Sequence, residues 1–149
     1  MLDYAKKPQY LTTQSYNDGY MNIETHKKID NRLVGTPVLI EKGIRSEVEL
    51  NTIDEMSADE QDLVHGGFIY GLADYAAMLA VNHPNVVLGA SQCKFIAPVR
   101  VGDTLKAIAS IIEIDGRKHI ASVKVYTNDK KIFEGRFKCY VLDKHVLIN

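Results

Sequence analysis

The sequence predicts an α+β domain in which one antiparallel sheet of about six strands wraps around a single long helix. Three observations carry this reading. Residues His65 to Val81 are almost uniformly apolar, with one charge, Asp74, and a helix without a polar face belongs inside a protein. Segments rich in β-branched and aromatic residues flank it, separated by turn residues. At 149 residues the chain can bury one core and is too short for two.

Residues 1–31 read as a partly irregular arm. Tyr4, Tyr10, Tyr16 and Tyr20 alternate there with Lys6, Lys7, Pro8 and Asn17-Asp18-Gly19, without a sustained period, and a short helix is expected near Ile23–Asn31. The tyrosines suit anchoring on the domain or on a second subunit better than nucleic-acid stacking, given the neutral charge. Residues 32–149 form the domain. Val38-Leu39-Ile40 and the alternation from Ile44 to Ile53 around Arg45, Glu47 and Glu49 predict strands. A polar loop, Asp54 to Asp62, leads to the helix, which Asn82-His83-Pro84-Asn85 stops. Strands are then expected over Val86–Ile96, Thr104–Ile114, His119–Thr127 and Ile132–Leu142, broken by Pro98 with Gly102-Asp103, by Asp115-Gly116 and by Asn128-Asp129. The short connections predict that consecutive strands are antiparallel neighbours. One helix cannot cover so wide a sheet, so a dimer is expected.

A formal charge of −1 argues against nucleic-acid and membrane-surface partners. The apolar run Phe68–Val81 is too short to span a bilayer and holds Asp74 near its middle. Cys93 and Cys139, in a chain read as lacking a secretory leader, are expected as free thiols in a cytoplasmic setting, and neither has metal-ligand spacing.

The chemistry concentrates in the helix. Burying a lone carboxylate costs several kcal/mol, so Asp74 asks for a functional explanation. His65-Gly66-Gly67 opens the helix, where N–H groups without intrahelical partners attract a carboxylate, a phosphate or a developing oxyanion, and glycine admits a ligand close to the backbone. The plain structural alternative is tight packing at the helix start with His65 a satisfied, partly buried histidine.

The chain resembles the hotdog-fold acyl-CoA proteins, particularly the small acyl-CoA thioesterases of the phenylacetic-acid type. The resemblance rests on His65-Gly66-Gly67 followed at fixed spacing by Leu72-Ala73-Asp74. The strand-ending phrase Phe95-Ile96-Ala97-Pro98-Val99-Arg100-Val101-Gly102-Asp103 reinforces it. It implies an acyl-CoA thioesterase in which the Gly66 amide polarises the thioester carbonyl. Asp74, supplied across a dimer interface, acts as nucleophile or as general base, and His65 supports the loop or places the thioester. Coenzyme A then enters as part of the substrate, with no separate cofactor and no metal, in a homodimer or dimer of dimers.

Relatives of this type usually carry Asn six residues before the histidine, where this chain has Asp59, within Asp59-Glu60-Gln61-Asp62; Gln61 is the nearest amide. The segment Ile132 to Tyr140 is similar to the last strand of the hotdog domain of a bacterial fatty-acid-synthesis repressor, which binds malonyl-CoA without hydrolysing it. The alternative function is therefore acyl-CoA binding or sensing without catalysis, and the hydratase branch of the fold is a third reading. Gly67, Asp59, Gln61, Lys94, Arg117 and Lys118 are the substrate-binding candidates, with Arg100 and Arg136 as further basic residues for the phosphates of coenzyme A. Ser91 and Cys93 are candidates to line the acyl tunnel, and His26, His83, His119 and His145 are unassigned.

Overall fold

A computed structural model describes residues 21–148. Tyr4, Tyr10, Tyr16 and Tyr20, and with them most of the expected arm, lie outside the described residues. The element order is α1 (Asn31–Val34), β1 (Thr36–Glu41), β2 (Arg45–Asn51), a 3-10 turn (Asp54–Met56), α2 (Gly66–Val81), β3 (Val86–Phe95), β4 (Thr104–Asp115), β5 (Lys118–Thr127) and β6 (Lys130–Val141). The strands form one antiparallel sheet in the order β1-β2-β4-β5-β6-β3.

Small side chains let the helix sit close to the sheet. Ala73, Ala76, Ala77 and Ala80 of α2 face an inner sheet surface that includes Ala107, Ala109 and Ala121, all at 0% exposure. Larger residues, among them Val48, Leu105, Val123, Phe133 and Phe137, fill the space around them. Ser46, fully buried, donates to the Ala76 carbonyl oxygen at 2.6 Å and so satisfies its own hydroxyl. Asn82 ends α2 in a left-handed conformation, its N–H on the Met78 carbonyl oxygen. The Asn82 side chain accepts from Glu24 N–H and donates to the Asn22 carbonyl oxygen, fastening the incoming chain to the helix end. No helix among the described residues is long and apolar enough to cross a membrane.

Two expectations need correction. The stretch from Ile23 to Asp30 is irregular, and the helix there is the single turn α1. The Asp30 carboxylate caps it by accepting Arg32 N–H, and Gly35 ends it. Met21 is buried, and Ile23 and Ile29 pack against the core, so this part of the chain belongs to the body of the domain. Secondly, β3 and β4 are consecutive but not neighbours. The connection over residues 96–103 crosses the end of the sheet instead. Ile96 N–H bonds to the Ile132 carbonyl oxygen, Val64 N–H to that of Val99, and Gly102 N–H to that of Thr52. β3 thereby becomes an outer strand beside β6, while β4 pairs with β2. The two-residue connections of β4–β5 and β5–β6 do join neighbours, with Gly116 and Asn128 at positive φ as such turns require.

Gly35 marks the tightest joint between α1, β2 and α2. Its φ is +103°, and a Cβ there would stand 2.7 Å from Val48 Cγ1 and 2.9 Å from the Glu49 carbonyl oxygen. Gly35→Ala is expected to cost about 2–4 kcal/mol, through backbone strain and overpacking together. An unchanged thermal midpoint in this variant would contradict that packing.

Candidate functional site

The start of α2 is held from both sides. His65 N–H bonds to the Met56 carbonyl oxygen, and isolated bridges pair Ser57 with Val64 and Leu63 with Arg100. His65 is the N-cap residue, with φ −60° and ψ 130°, and its exposed side chain makes no capping bond. Gly66 and Gly67 follow, and their N–H groups have no acceptor among the described residues. A Cβ on Gly66 would stand 3.3 Å from the Phe95 ring, and one on Gly67 3.1 Å from the His65 ring. Beside Gly66 opens a cleft of about 340 Å³, walled mainly by Ile69, Phe95, Ile96, Pro98 and Val99. Gly66, whose N–H is free, thus lies at the wall of an apolar trough.

The helix is not enclosed all round, as its composition suggested. Tyr75 to Val81 are buried, but Gly67, Tyr70, Gly71 and Asp74, at spacings of three, four and seven, form a stripe that stays partly open. Asp74 is half-buried. Its Oδ1 is shielded from solvent and has no hydrogen-bond partner among the described residues, and burial pushes its pKa up to about 6. Across from it on β6, the Cys139 thiol is pushed up to about 12, by burial first and then by the Asp74 carboxylate. The thiol lies against the Phe137 carbonyl oxygen at 3.6 Å, leaving Asp74 unserved. One turn earlier Tyr70 Oη and Ser91 Oγ share a hydrogen bond of 2.7 Å between α2 and β3. Tyr70 is absent from the sequence reading; its place four residues before Asp74 on one helix face is the signal that was there to use.

Eight residues separate Gly66 from Asp74 on one unbroken helix, about 12 Å at 1.5 Å per residue. A single chain therefore does not bring its own donor and its own carboxylate together. Asp59 has a structural task, its Oδ1 accepting the N–H groups of Gln61 and Leu63 and so folding the loop before the helix. Gln61 is exposed in that loop. Of the basic candidates Arg100 adjoins this end through its bridge to Leu63, and Lys94, next to Phe95, lies at the same end. Lys94 stands on the outer face of β3 opposite Glu134. Arg117 and Lys118 are at the β4–β5 turn, at the other end of the sheet, where Arg117 pairs with Asp143. Cys93 packs against the core and Ser91 bonds to Tyr70 of α2, so both face the helix side of β3, and both cysteines are free. His83 and His145 each accept a nearby backbone N–H, two residues on. Among the described residues no three His, Cys, Asp or Glu gather as a metal site.

A family model described as the thioesterase superfamily matches residues 61–133, from the loop before α2 to the start of β6. The chain belongs to this superfamily and has its hotdog fold. An uncharacterized protein of Pyrococcus horikoshii has 57% identity and a TM-score of 0.84, over 87% of this chain and 98% of that one. Methylthioribose-1-phosphate isomerase of Aquifex aeolicus is 48% identical over 117 residues, which is 78% of this chain and only 25% of that protein. Transcription factor FapR of a Thermoanaerobacter species is 30% identical over 115 residues, 77% of this chain and 58% of that one. The chain thus spans a quarter to three-fifths of the length of these two curated relatives. The fold alone is shared with PaaI of the Escherichia coli phenylacetic acid degradation operon, at 22% identity and TM-score 0.69 over 76% and 83% of the two chains. It is also shared with a Streptococcus mutans protein bound to acetyl-CoA, at 21% identity and TM-score 0.69 over 80% and 97%.

Proposed function

We propose that this chain hydrolyses acyl-CoA thioesters at a site shared between two copies of itself. The observation that carries the proposal is Asp74, a carboxylate with a buried, partnerless oxygen and a pKa of about 6, on the open stripe of the helix whose first N–H groups are free. The thioester carbonyl oxygen accepts a hydrogen bond from Gly66 N–H of one copy, with the acyl chain in the apolar cleft beside it. Asp74 of the other copy takes a proton from water as the water oxygen attacks the carbonyl carbon. The tetrahedral oxyanion is held by the same N–H and by the positive end of the helix. Collapse breaks the C–S bond, the thiolate takes the proton back from Asp74, and free acid and coenzyme A leave.

Direct attack by the carboxylate, forming a mixed anhydride that water then opens, uses the same groups. Label found in Asp74 after a single turnover in labelled water identifies the anhydride route opened at the Asp74 carbonyl carbon, since the general-base route never labels the carboxylate. Sharing between copies is supported by the position of β3 as an edge strand of ten residues with one side unpaired among the described residues. Antiparallel pairing of two such edges would lay the two α2 helices side by side in opposite directions.

The rate should follow the ionised fraction of Asp74. The group works as a base, so kcat/KM is expected to rise about tenfold per pH unit below about 6 and to level off above it. Free-thiol release measured from pH 4.5 to 8 checks this, and a profile flat across pH 6 would contradict it.

A second reading, binding or sensing of acyl-CoA without hydrolysis, is favoured by the FapR relatives and by an acid at position 59 that is spent on its own loop. In that case acyl-CoA raises the thermal midpoint by mass action and is recovered intact. Release of coenzyme A over many turnovers would remove this reading.

A further inference from the structure

The face of the sheet turned away from α2, and so from the Gly66 N–H and Asp74, carries a groove. Its volume is about 670 Å³, and Gln92, Lys94, Ser122, Lys124, Glu134 and Arg136 supply its side chains. Strand register orders them in two rows. Lys94, Glu134 and Lys124 lie across β3, β6 and β5, with Gln92, Arg136 and Ser122 in the row beside them. The rows are two residues apart along the strands, about 6.6 Å.

The single acid of the groove is already engaged. Lys131 Nζ donates to Glu134 at 2.6 Å, and that bond, followed by Lys94 and Lys124, holds the carboxyl below the usual range. Arg32, Arg45 and Arg117 each form an ion pair, whereas Lys94, Lys124 and Arg136 form none among the described residues. In a chain whose formal charge is −1, this concentration of unpaired cations is local.

We propose that the groove binds a small organic phosphate of about nucleotide size, at a site separate from the thioester. The middle of one row is a guanidinium, flanked by a hydroxyl and an amide, a donor set that matches the oxygens of a phosphate. The two lysines of the other row add charge one ligand-length away. The volume falls among those of small-molecule sites, about 300–1,000 Å³. A bare phosphate would not span both rows. Separation follows from the sheet itself, because Phe95 and Phe133, on the same strands, face the other way, toward the Gly66 end of α2. Pairing of two β3 edges would close the path around the strand and set two positive grooves side by side, strengthening the field on an anion. The inference does not depend on hydrolysis.

Calorimetric titration with ADP and with ribose 5-phosphate, each with and without saturating coenzyme A, tests it. At least one of the two is expected to bind once per chain, unaffected by coenzyme A. Lys124→Gln combined with Arg136→Gln should weaken it at least about tenfold, through the loss of charged hydrogen bonds. Lys106→Gln, on the same sheet face outside the groove, should bind as the wild type does. All variants should keep the wild-type thermal midpoint, since the changed side chains are at the surface. Failure of both probes to bind, equal binding by the double variant, or displacement by coenzyme A would each overturn the proposal. The last result would make the groove the nucleotide end of the acyl-CoA site.

Discussion

Asp74→Asn is expected to lower thioester hydrolysis by about a thousandfold, the usual loss when a general base is removed, and to make the folded protein more stable above pH 6. The two effects have one cause. Burial raises the pKa of Asp74 from 3.8 to about 6, so in that window the folded state binds a proton more tightly than the unfolded chain does. The folded state's advantage from that proton is complete below about 3.8 and is lost as pH rises through 6. The full shift corresponds to about 3 kcal/mol at 1.36 kcal/mol per unit. Asparagine carries no such penalty but leaves its own amide without a partner, so the net gain is about 1–3 kcal/mol at pH 8. It should vanish near pH 4. Thermal unfolding of both proteins at the two pH values, beside a thiol-release assay, checks the pair of effects. Equal hydrolysis by the variant would remove Asp74 from the chemistry, and a variant destabilised at pH 8 would show that the carboxylate is structurally satisfied.

Gly66→Pro is expected to cost about a hundredfold to a thousandfold in kcat, the loss typical of one oxyanion donor, without unfolding the helix. Proline is well accommodated at the first helical position, where the N–H has no intrahelical partner. His65 before it already has the extended conformation, φ −60° and ψ 130°, that a following proline demands. The ring must displace Phe95, whose edge would be 3.3 Å from a Cβ at this position, so Phe95→Leu in the same chain is a control for crowding. The decisive use of this variant is in mixture. Gly66→Pro and Asp74→Ala subunits, each inactive alone, should regain about one working site per mixed dimer after dissociation and reassociation, because one subunit supplies the donor and the other the base. If the mixture stays inactive while reassociated wild type recovers, the shared site is wrong.

The fold was legible where local chemistry decides it. An apolar run ending at Asn82-His83-Pro84 marks a long helix packed on the sheet, though not its open stripe at Gly67, Tyr70, Gly71 and Asp74, and Gly116 and Asn128 mark two of the hairpins. Strand order was less legible. Nothing between Phe95 and Thr104 says that the chain will cross the sheet end rather than turn back, since the bonds that direct it are to residues 64, 52 and 132, far away in sequence. The site shows the same division. His65-Gly66-Gly67 and Asp74 stand out because free N–H groups and a lone carboxylate are costly wherever they are placed. The hydrogen bond of Tyr70 with Ser91 depends on which strand packs under the first turns of the helix, and no local pattern records that. Asp59, conspicuous as a change of residue type, proved to spend its carboxylate on neighbouring N–H groups. The sequence pattern could not separate a loop-folding acid from a substrate-facing one.

The central claim is that one thioester meets two copies of the chain. A crystal structure with a non-hydrolysable acyl-CoA analogue tests it most directly. The account predicts the carbonyl oxygen within about 3 Å of Gly66 N–H of one copy, and a water or Asp74 carboxylate of the other copy within about 3.5 Å of the carbonyl carbon. It also predicts the acyl chain against Phe95 and Ile69, in the cleft that opens beside Gly66. An analogue bound with its carbonyl away from Gly66, or with Asp74 of neither copy within reach, would contradict it.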